Sequence, residues 1–416
     1  MIEVNKKQLV WTLMPLFFLF MAATDMFLAA LPTMTHHFMV TATVSSLMIS
    51  AYTFGLAPFS LISGVISERI GRKPCIVYGA LIFVVTSALI PFMPNIWIII
   101  ALRFIQALGA AFILIVARLV IKDCMTDKEQ INTSSLMAIG MIISPAISPI
   151  VGAFLFRFFG WQSIFYTLTI FSFILFLFTL KLPETLPKEN RIKRLPGAKE
   201  YFGNYVKFFE KKLFFPLLLM VGAPFAAYWG FIGISSFLFM STLHVQPIVF
   251  SCIYATTAFS TLLGNYYNRK WNSTGATKFY LIFFGIVISV IGTLILFFAS
   301  IPLGTLYIVI VLTVGLLIMR SAFSFIFPST QVILMNIYGR EGGQALGFLN
   351  FFQFLLGSLG IVMVSFFHTN PLLGLQVVSV FFTIVLILAW LGLKKCGYST
   401  KSDFQFVAGM EMHTME

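Results

Sequence analysis

Asp25 is the residue of this chain best placed to do chemistry. It lies in residues 11–31, a run otherwise apolar or small, and no other acid falls inside a long apolar segment. An ionised carboxylate at membrane depth costs about 3 kcal/mol or more. Such a group pairs with a cation or takes up a proton, because burial disfavours the charged form. An acid that exchanges a proton for a partner can couple proton flow to another movement; an ion pair that never moves is the structural alternative. Three arginines share the apolar segments: Arg103, Arg118 and Arg320. Arg103 is deep in its segment and needs a partner, either Asp25 or backbone carbonyls. The cysteines, Cys75, Cys124, Cys252 and Cys396, have neither metal nor redox spacing and read as free thiols. No catalytic constellation, no metal site and no phosphate-binding loop is evident, so neither a cofactor nor a nucleotide is implied.

Helical spacing groups further candidates. Met21, Ala22, Asp25, Leu28, Ala29 and Pro32 would share one face of a continuous helix. Tyr52, Gly55 and Phe59 would share another, as would Asn350, Gln353, Gly357 and Gly360. Polar groups inside a span avoid lipid and face protein or water. Aromatic rings beside a single acid suit lipophilic cations. The candidate substrate wall is therefore Met21, Tyr52, Arg118, Tyr228, Trp229, Tyr254, Asn350 and Gln353. Any one of these aromatics reads equally well as packing or as part of an interface belt.

The elements that must position these residues follow from composition. The chain has 416 residues, 59% hydrophobic and 10% charged, with 49 Phe. Soluble domains carry about 25% charged residues. No soluble fold covers so much apolar side chain, so the expected fold class is an all-α membrane protein. Spans are expected near 10–33, 44–66, 75–93, 96–121, 132–156 and 161–180. Six more follow near 213–240, 247–267, 279–299, 304–328, 344–367 and 372–393. The domain reading is thus a six-helix half at 10–180, a cytoplasmic linker at 181–212, a second six-helix half at 213–393 and a polar, disordered tail at 394–416.

A pI near 9.6 could suggest nucleic acid, but the basic residues are interspersed between apolar spans. With the N-terminus inside, 23 of the 27 Lys and Arg fall on the inner side. This asymmetry predicts both termini in the cytoplasm, and no nucleic-acid partner. The linker holds nine basic and four acidic residues. Residues 200–212 could lie as an amphipathic helix on anionic headgroups; a tether joining the halves is the simpler reading. The first apolar run is too long for a signal-peptide core and is kept as a span.

Four sequence stretches carry a family resemblance. Gly64-Val-Ile-Ser-Glu68-Arg69-Ile-Gly71-Arg72-Lys73-Pro74 resembles the loop signature of the major facilitator superfamily, with Glu68 where Asp is usual. A degraded copy, Gly264-Asn-Tyr-Tyr-Asn-Arg269-Lys270, follows the eighth span and suggests an internal repeat. Leu102-Arg103-Phe-Ile-Gln106-Ala107-Leu-Gly109 is similar to the superfamily's fourth-span motif. Ser144-Pro145-Ala-Ile-Ser148-Pro149-Ile-Val-Gly152 resembles its fifth-span antiporter motif, found mainly in exporters. Within the superfamily, 24–32, Ala117-Arg118-Leu-Val-Ile-Lys122-Asp123, Leu182-Pro-Glu-Thr185 and 343–353 look like Bcr/CflA-type drug-resistance transporters. The likeness covers about residues 10–395. It departs at Ser235-Ser236 and at Gln162.

The resemblance implies twelve transmembrane helices in two pseudo-symmetric six-helix halves. It implies drug:proton antiport by alternating access in a bacterial inner membrane, with a lipophilic small molecule, protons and lipids as partners and a monomer as the unit. Asp25 and Arg103 would couple protons. Gly64, Glu68, Arg69, Gly71 and Arg72 would latch onto the helix start at Gly342 and Gly343. Ser148, Pro149 and Gly152 would form the antiporter motif. Importer or facilitator of a small metabolite is the alternative; a non-transporting receptor or scaffold is more remote. No enzyme activity is expected.

Overall fold

The computed structural model describes residues 6–194, 197, 203 and 205–398. Among them are twelve helices long and apolar enough to cross a membrane, and no strand. Spans 1–6 are Leu9–His37, Ala42–Ile70, Arg72–Phe92, Ile96–Cys124, Ile139–Phe159 and Gln162–Leu180. Spans 7–12 are Phe214–Thr242, Pro247–Ser273, Lys278–Phe298, Thr305–Tyr338, Gly342–Ser365 and Pro371–Lys395. Several starts follow from local chemistry. The side chains of Thr41, Asn95, Thr277 and Asn370 accept the first free amides of spans 2, 4, 9 and 12. Thr126 and Glu129 form a reciprocal capping box before span 5.

Three sequence expectations need correction. Hydropathy measures the hydrocarbon layer, so it misses helix that continues into water. Span 10 runs ten residues past its expected end; its 34 residues would extend about 51 Å, against about 30 Å of hydrocarbon. The copy at 264–270 lies inside the span 8 helix, not in a loop. Span 1 is not continuous: an α-helix ends at Asp25, a 3-10 turn covers Leu28–Ala30, and a short helix resumes at Leu31–His37. The face drawn through Met21, Asp25, Leu28 and Pro32 is therefore interrupted just after Asp25.

The chain forms two compact units. One comprises Met1–Pro196 with Gly233–Ala258; the other comprises Gly197–Ile232 with Phe259–Glu416. Small residues set the helix crossings within each. In the first unit, a Cβ on Gly152 of span 5 would run into the Met26 carbonyl of span 1, and one on Gly109 would run into Gly79. In the second, a Cβ on Gly360 of span 11 would run into the Ala226 carbonyl of span 7, and one on Gly315 would meet Leu296 and Gly292. The same helix pairs, 1 with 5 and 7 with 11, 3 with 4 and 9 with 10, thus meet through backbone contact in both units. Duplicated crossings of this kind are what an internal repeat produces.

Residues 205–212 place Tyr205 and Phe208 in protein, not lipid. Phe208 packs on Phe214 and Tyr338, whose hydroxyl donates to the Phe208 carbonyl at 2.7 Å. Lys211 donates to the Ile337 carbonyl at 2.7 Å. Residues 200–202 and 204 of the expected amphipathic stretch, and the tail beyond 398, lie outside the described residues.

Candidate functional site: a polar centre inside the first unit

Asp25 is 3% exposed. It is the last residue of its α-helix. Its Oδ1 accepts a hydrogen bond at 3.0 Å from the hydroxyl of Tyr254, which is 1% exposed on span 8. Gly152 of the antiporter motif packs on the Met26 backbone beside the break, and only glycine permits that approach. Ser148 and Ser144 share a 3.0 Å hydrogen bond on the same buried side of span 5, and Pro149 is buried with them.

Arg103 is fully buried on span 4. Its guanidinium lies 4.8 Å from the Phe27 ring centre and 4.5 Å from that of Tyr52. It donates to Gln106 Oε1 at 2.6 Å, to the Met48 carbonyl at 3.4 Å and to Thr24 Oγ1 at 3.5 Å. Gln106 passes the chain on to Ser87 at 2.7 Å, and Ser87 to the Phe83 carbonyl at 2.7 Å. Tyr52 donates to the Phe20 carbonyl at 3.0 Å. Spans 1, 2, 3 and 4 therefore meet in one hydrogen-bonded and cation-π centre, with Arg103 touching residues on both sides of Asp25, and Tyr254 of span 8 bonds Asp25 itself.

The remaining candidates disperse. Met21 is half-buried on span 1, and Arg118 is exposed on span 4. In the second unit Arg320 lies over Tyr228, 4.4 Å from its ring centre, and both are half-buried. Trp229 is buried against Phe225, which also meets Phe354. Gln353 is buried at 7% exposure, and its Oε1 has no hydrogen-bond partner among the described residues. Asn350, one turn away, is half-buried.

The loop motif is built around Gly71, whose φ of 110° excludes an ordinary side chain. Arg72 donates its amide to Glu184 Oε1 at 2.9 Å and its Nε to Asp123 Oδ2 at 3.0 Å. Arg191 pairs with Glu184 at 3.2 Å and donates to the Ile70 carbonyl at 3.0 Å. An acid thus faces the positive start of span 3 and a base faces the negative end of span 2. Glu68 and Arg69 are exposed, Gly64 is half-buried, and the Glu68 carbonyl accepts from the Ile192 amide at 3.1 Å. Gly342 begins span 11 and is buried; Gly343 is exposed.

Sequence reasoning did not single out Gln106, Ser87, Asp123, Glu184 or Arg191 as site residues. The first belongs to the span 4 motif, and Asp123 and Glu184 to stretches that carried the family resemblance. Nothing in periodicity marks Ser87 or Arg191.

A family model described as Major Facilitator Superfamily matches residues 13–361. The chain is 26% identical over 380 residues to the MFS-type transporter YdgK of Bacillus subtilis (strain 168), covering 89% of this chain and 91% of that protein. It is 27% identical over 241 residues to the multidrug resistance protein MdtL of Escherichia coli O157:H7, covering 58% of this chain and 60% of that protein. Two solved structures share the fold. A bacterial homologue of the human lysosomal transporter Spinster, inward-facing and unoccupied, has a TM-score of 0.72 at 15% identity, covering 97% of this chain and 99% of that one. A D-xylose–proton symporter has a TM-score of 0.72 at 13% identity, covering 92% and 97%.

Proposed function

The chain belongs to the major facilitator superfamily, and on that premise we propose that this multi-pass membrane transporter exports drug-like small molecules in exchange for protons. The observation that carries the reading is Asp25, buried at a helix break, hydrogen-bonded to Tyr254 and seated beside Gly152 of the antiporter motif. Similarity to MdtL supports drug-like cargo. The basic residues crowd the loops that would face the cytoplasm, which supports cytoplasmic termini in a bacterial inner membrane.

A proton arriving from outside neutralises Asp25, weakens its hold on cargo and releases it outward; loss of the proton inside restores affinity. Arg103 keeps the centre poised by its contacts on either side of Asp25. A charge pair at an effective dielectric of about 20 is worth about 4 kcal/mol at contact, and desolvation offsets much of that. Cargo is accordingly mixed, neutral and monocationic, with anions disfavoured.

The test uses purified protein in liposomes with an imposed pH gradient and a lipophilic monocationic dye. Dye should move against the proton, and Asp25→Asn should abolish the driven movement while the protein stays folded. Dye movement along with the proton would mark an importer. Full driven movement in Asp25→Asn would remove Asp25 from the coupling.

A further inference from the structure

Gly233–Ala258 belongs to the first unit, although the remaining lengths of spans 7 and 8 belong to the second. Within the first unit, this stretch is tied down in three ways. Ser46 Oγ donates to the Gly233 carbonyl at 2.8 Å. The π-helical turn Phe237–Thr242 packs on Leu31–His37. Tyr254 donates to Asp25 at 3.0 Å, with its ring steadied by Phe250, which packs on Phe239. The first tie involves no ionisable side chain, and the second lies on the short helix that carries the exposed imidazoles of His36 and His37. The third responds to the charge on Asp25, because a hydrogen bond to a carboxylate is roughly twice as strong as one to a neutral carboxyl.

We infer that Tyr254 is a positioning residue through which the charge on Asp25 sets whether the 233–258 stretch stays docked on spans 1 and 2. The inference rests on Asp25 as the coupling acid. It gives Tyr254 a conformational role in place of the substrate contact that its aromatic character first suggests. Ionisable groups near Asp25 include Tyr254 from span 8, which bonds it, and Arg103 from span 4, which touches Thr24 and Phe27 on either side of it and lies over Tyr52 of span 2; His36 and His37 lie on the short helix that follows. Tyr52 gives its proton to the Phe20 carbonyl, and Arg103 donates to Gln106, Met48 and Thr24. Tyr254 is the phenol that donates to Asp25. With Asp25 ionised, the bond is strong and the stretch is held. When a proton or a cationic cargo takes the carboxylate, Tyr254 keeps its own proton, its bond weakens and the stretch is released. Proton arrival and opening at this end of the first unit then become one event.

The experiment places reporter labels at Met39→Cys and Gln246→Cys, both in exposed connections of the first unit, in a Cys252→Ser, Cys396→Ser background. The distance distribution between the labels is measured against pH in lipid nanodiscs. The parent should show two populations whose ratio shifts by up to about tenfold per pH unit, the limit for one proton. Tyr254→Phe keeps the ring and should flatten the shift to less than about twofold over the same window. Asp25→Asn should flatten it as well. A monodisperse size-exclusion profile and a melting temperature close to the parent's show that Tyr254→Phe is folded. A parent-like pH response in Tyr254→Phe overturns the inference. So does a changed affinity for dye with the pH response intact, which would make Tyr254 a substrate contact. Absence of pH-driven transport in the parent would instead count against the proposed function, so the two failures are distinguishable.

Discussion

Two arginines lie inside membrane helices with a tyrosine ring beside each, and their surroundings differ. Arg103 in the first unit is fully enclosed, over two rings and bonded to Gln106, Met48 and Thr24. Arg320 in the second unit lies over Tyr228 but is only half-buried. The nearby amides differ in the same sense. Gln106 is bonded at both ends, whereas Gln353 is buried with an acceptor that no described residue uses. A completed network fixes one geometry, whereas an incomplete one leaves polar capacity for something that comes and goes. The polar network of Arg103 in the first unit is therefore complete, and that of Gln353 in the second retains an unused acceptor.

The comparison can be broken most easily at the arginines. Arg103→Ala should destabilise the protein by about 3 kcal/mol or more, since it leaves buried partners uncompensated. Arg320→Ala should cost about 1 kcal/mol and instead alter which cargo is carried. Thermal unfolding in detergent reads the first effect and a panel of analogues differing in charge reads the second. Equal destabilisation would erase the distinction.

The glycine crossings predict likeness where the arginines predict difference. Gly152→Ala and Gly360→Ala should each cost about 2 kcal/mol, because the new carbon meets a backbone carbonyl that cannot turn aside. Gly343→Ala, with nothing in reach, should stay within about 0.5 kcal/mol. Folded yield and melting temperature report all three. The amides sharpen the contrast at smaller scale. Gln106→Leu should lose about 1.5 kcal/mol of stability. Gln353→Leu should be close to neutral in a melt while changing apparent affinity for dye.

The smallest effect belongs to the staple across Gly71. Its Glu184–Arg191 pair is partly exposed, so Glu184→Gln should cost only about 0.5 kcal/mol. Hydrogen exchange at the Arg72 amide, which Glu184 accepts, should nonetheless quicken. Unchanged exchange there would mean the turn holds without the acid.

Much of this was legible in the sequence, for reasons specific to each part. Twelve spans could be read because lipid demands long apolar runs. Asp25 and Arg103 stood out because charge in such runs is rare. The break after Asp25 left no sign in hydropathy, because Met26 and Phe27 are as apolar as their neighbours. The overhang of span 10 was hidden because a helix does not stop where hydrocarbon does. Arg72 was visible within its motif, but its partners Asp123 and Glu184 stand 51 and 112 residues away. Local spacing carries no information about such pairings. Tyr254 was seen as an aromatic and not as a donor, for the same reason.

The Tyr254–Asp25 bond also has a consequence for the order of manufacture. Its two ends are separated by 229 residues of chain. At about 5–20 residues per second, the ribosome reaches Tyr254 roughly 10 to 45 s after Asp25. Throughout that interval the newborn carboxyl group must enter the membrane without its span 8 donor. Arg103, 78 residues after Asp25, arrives about a third of the way through the wait. The nascent first half therefore passes through a stage in which the Arg103 network can already form while Asp25 still lacks Tyr254.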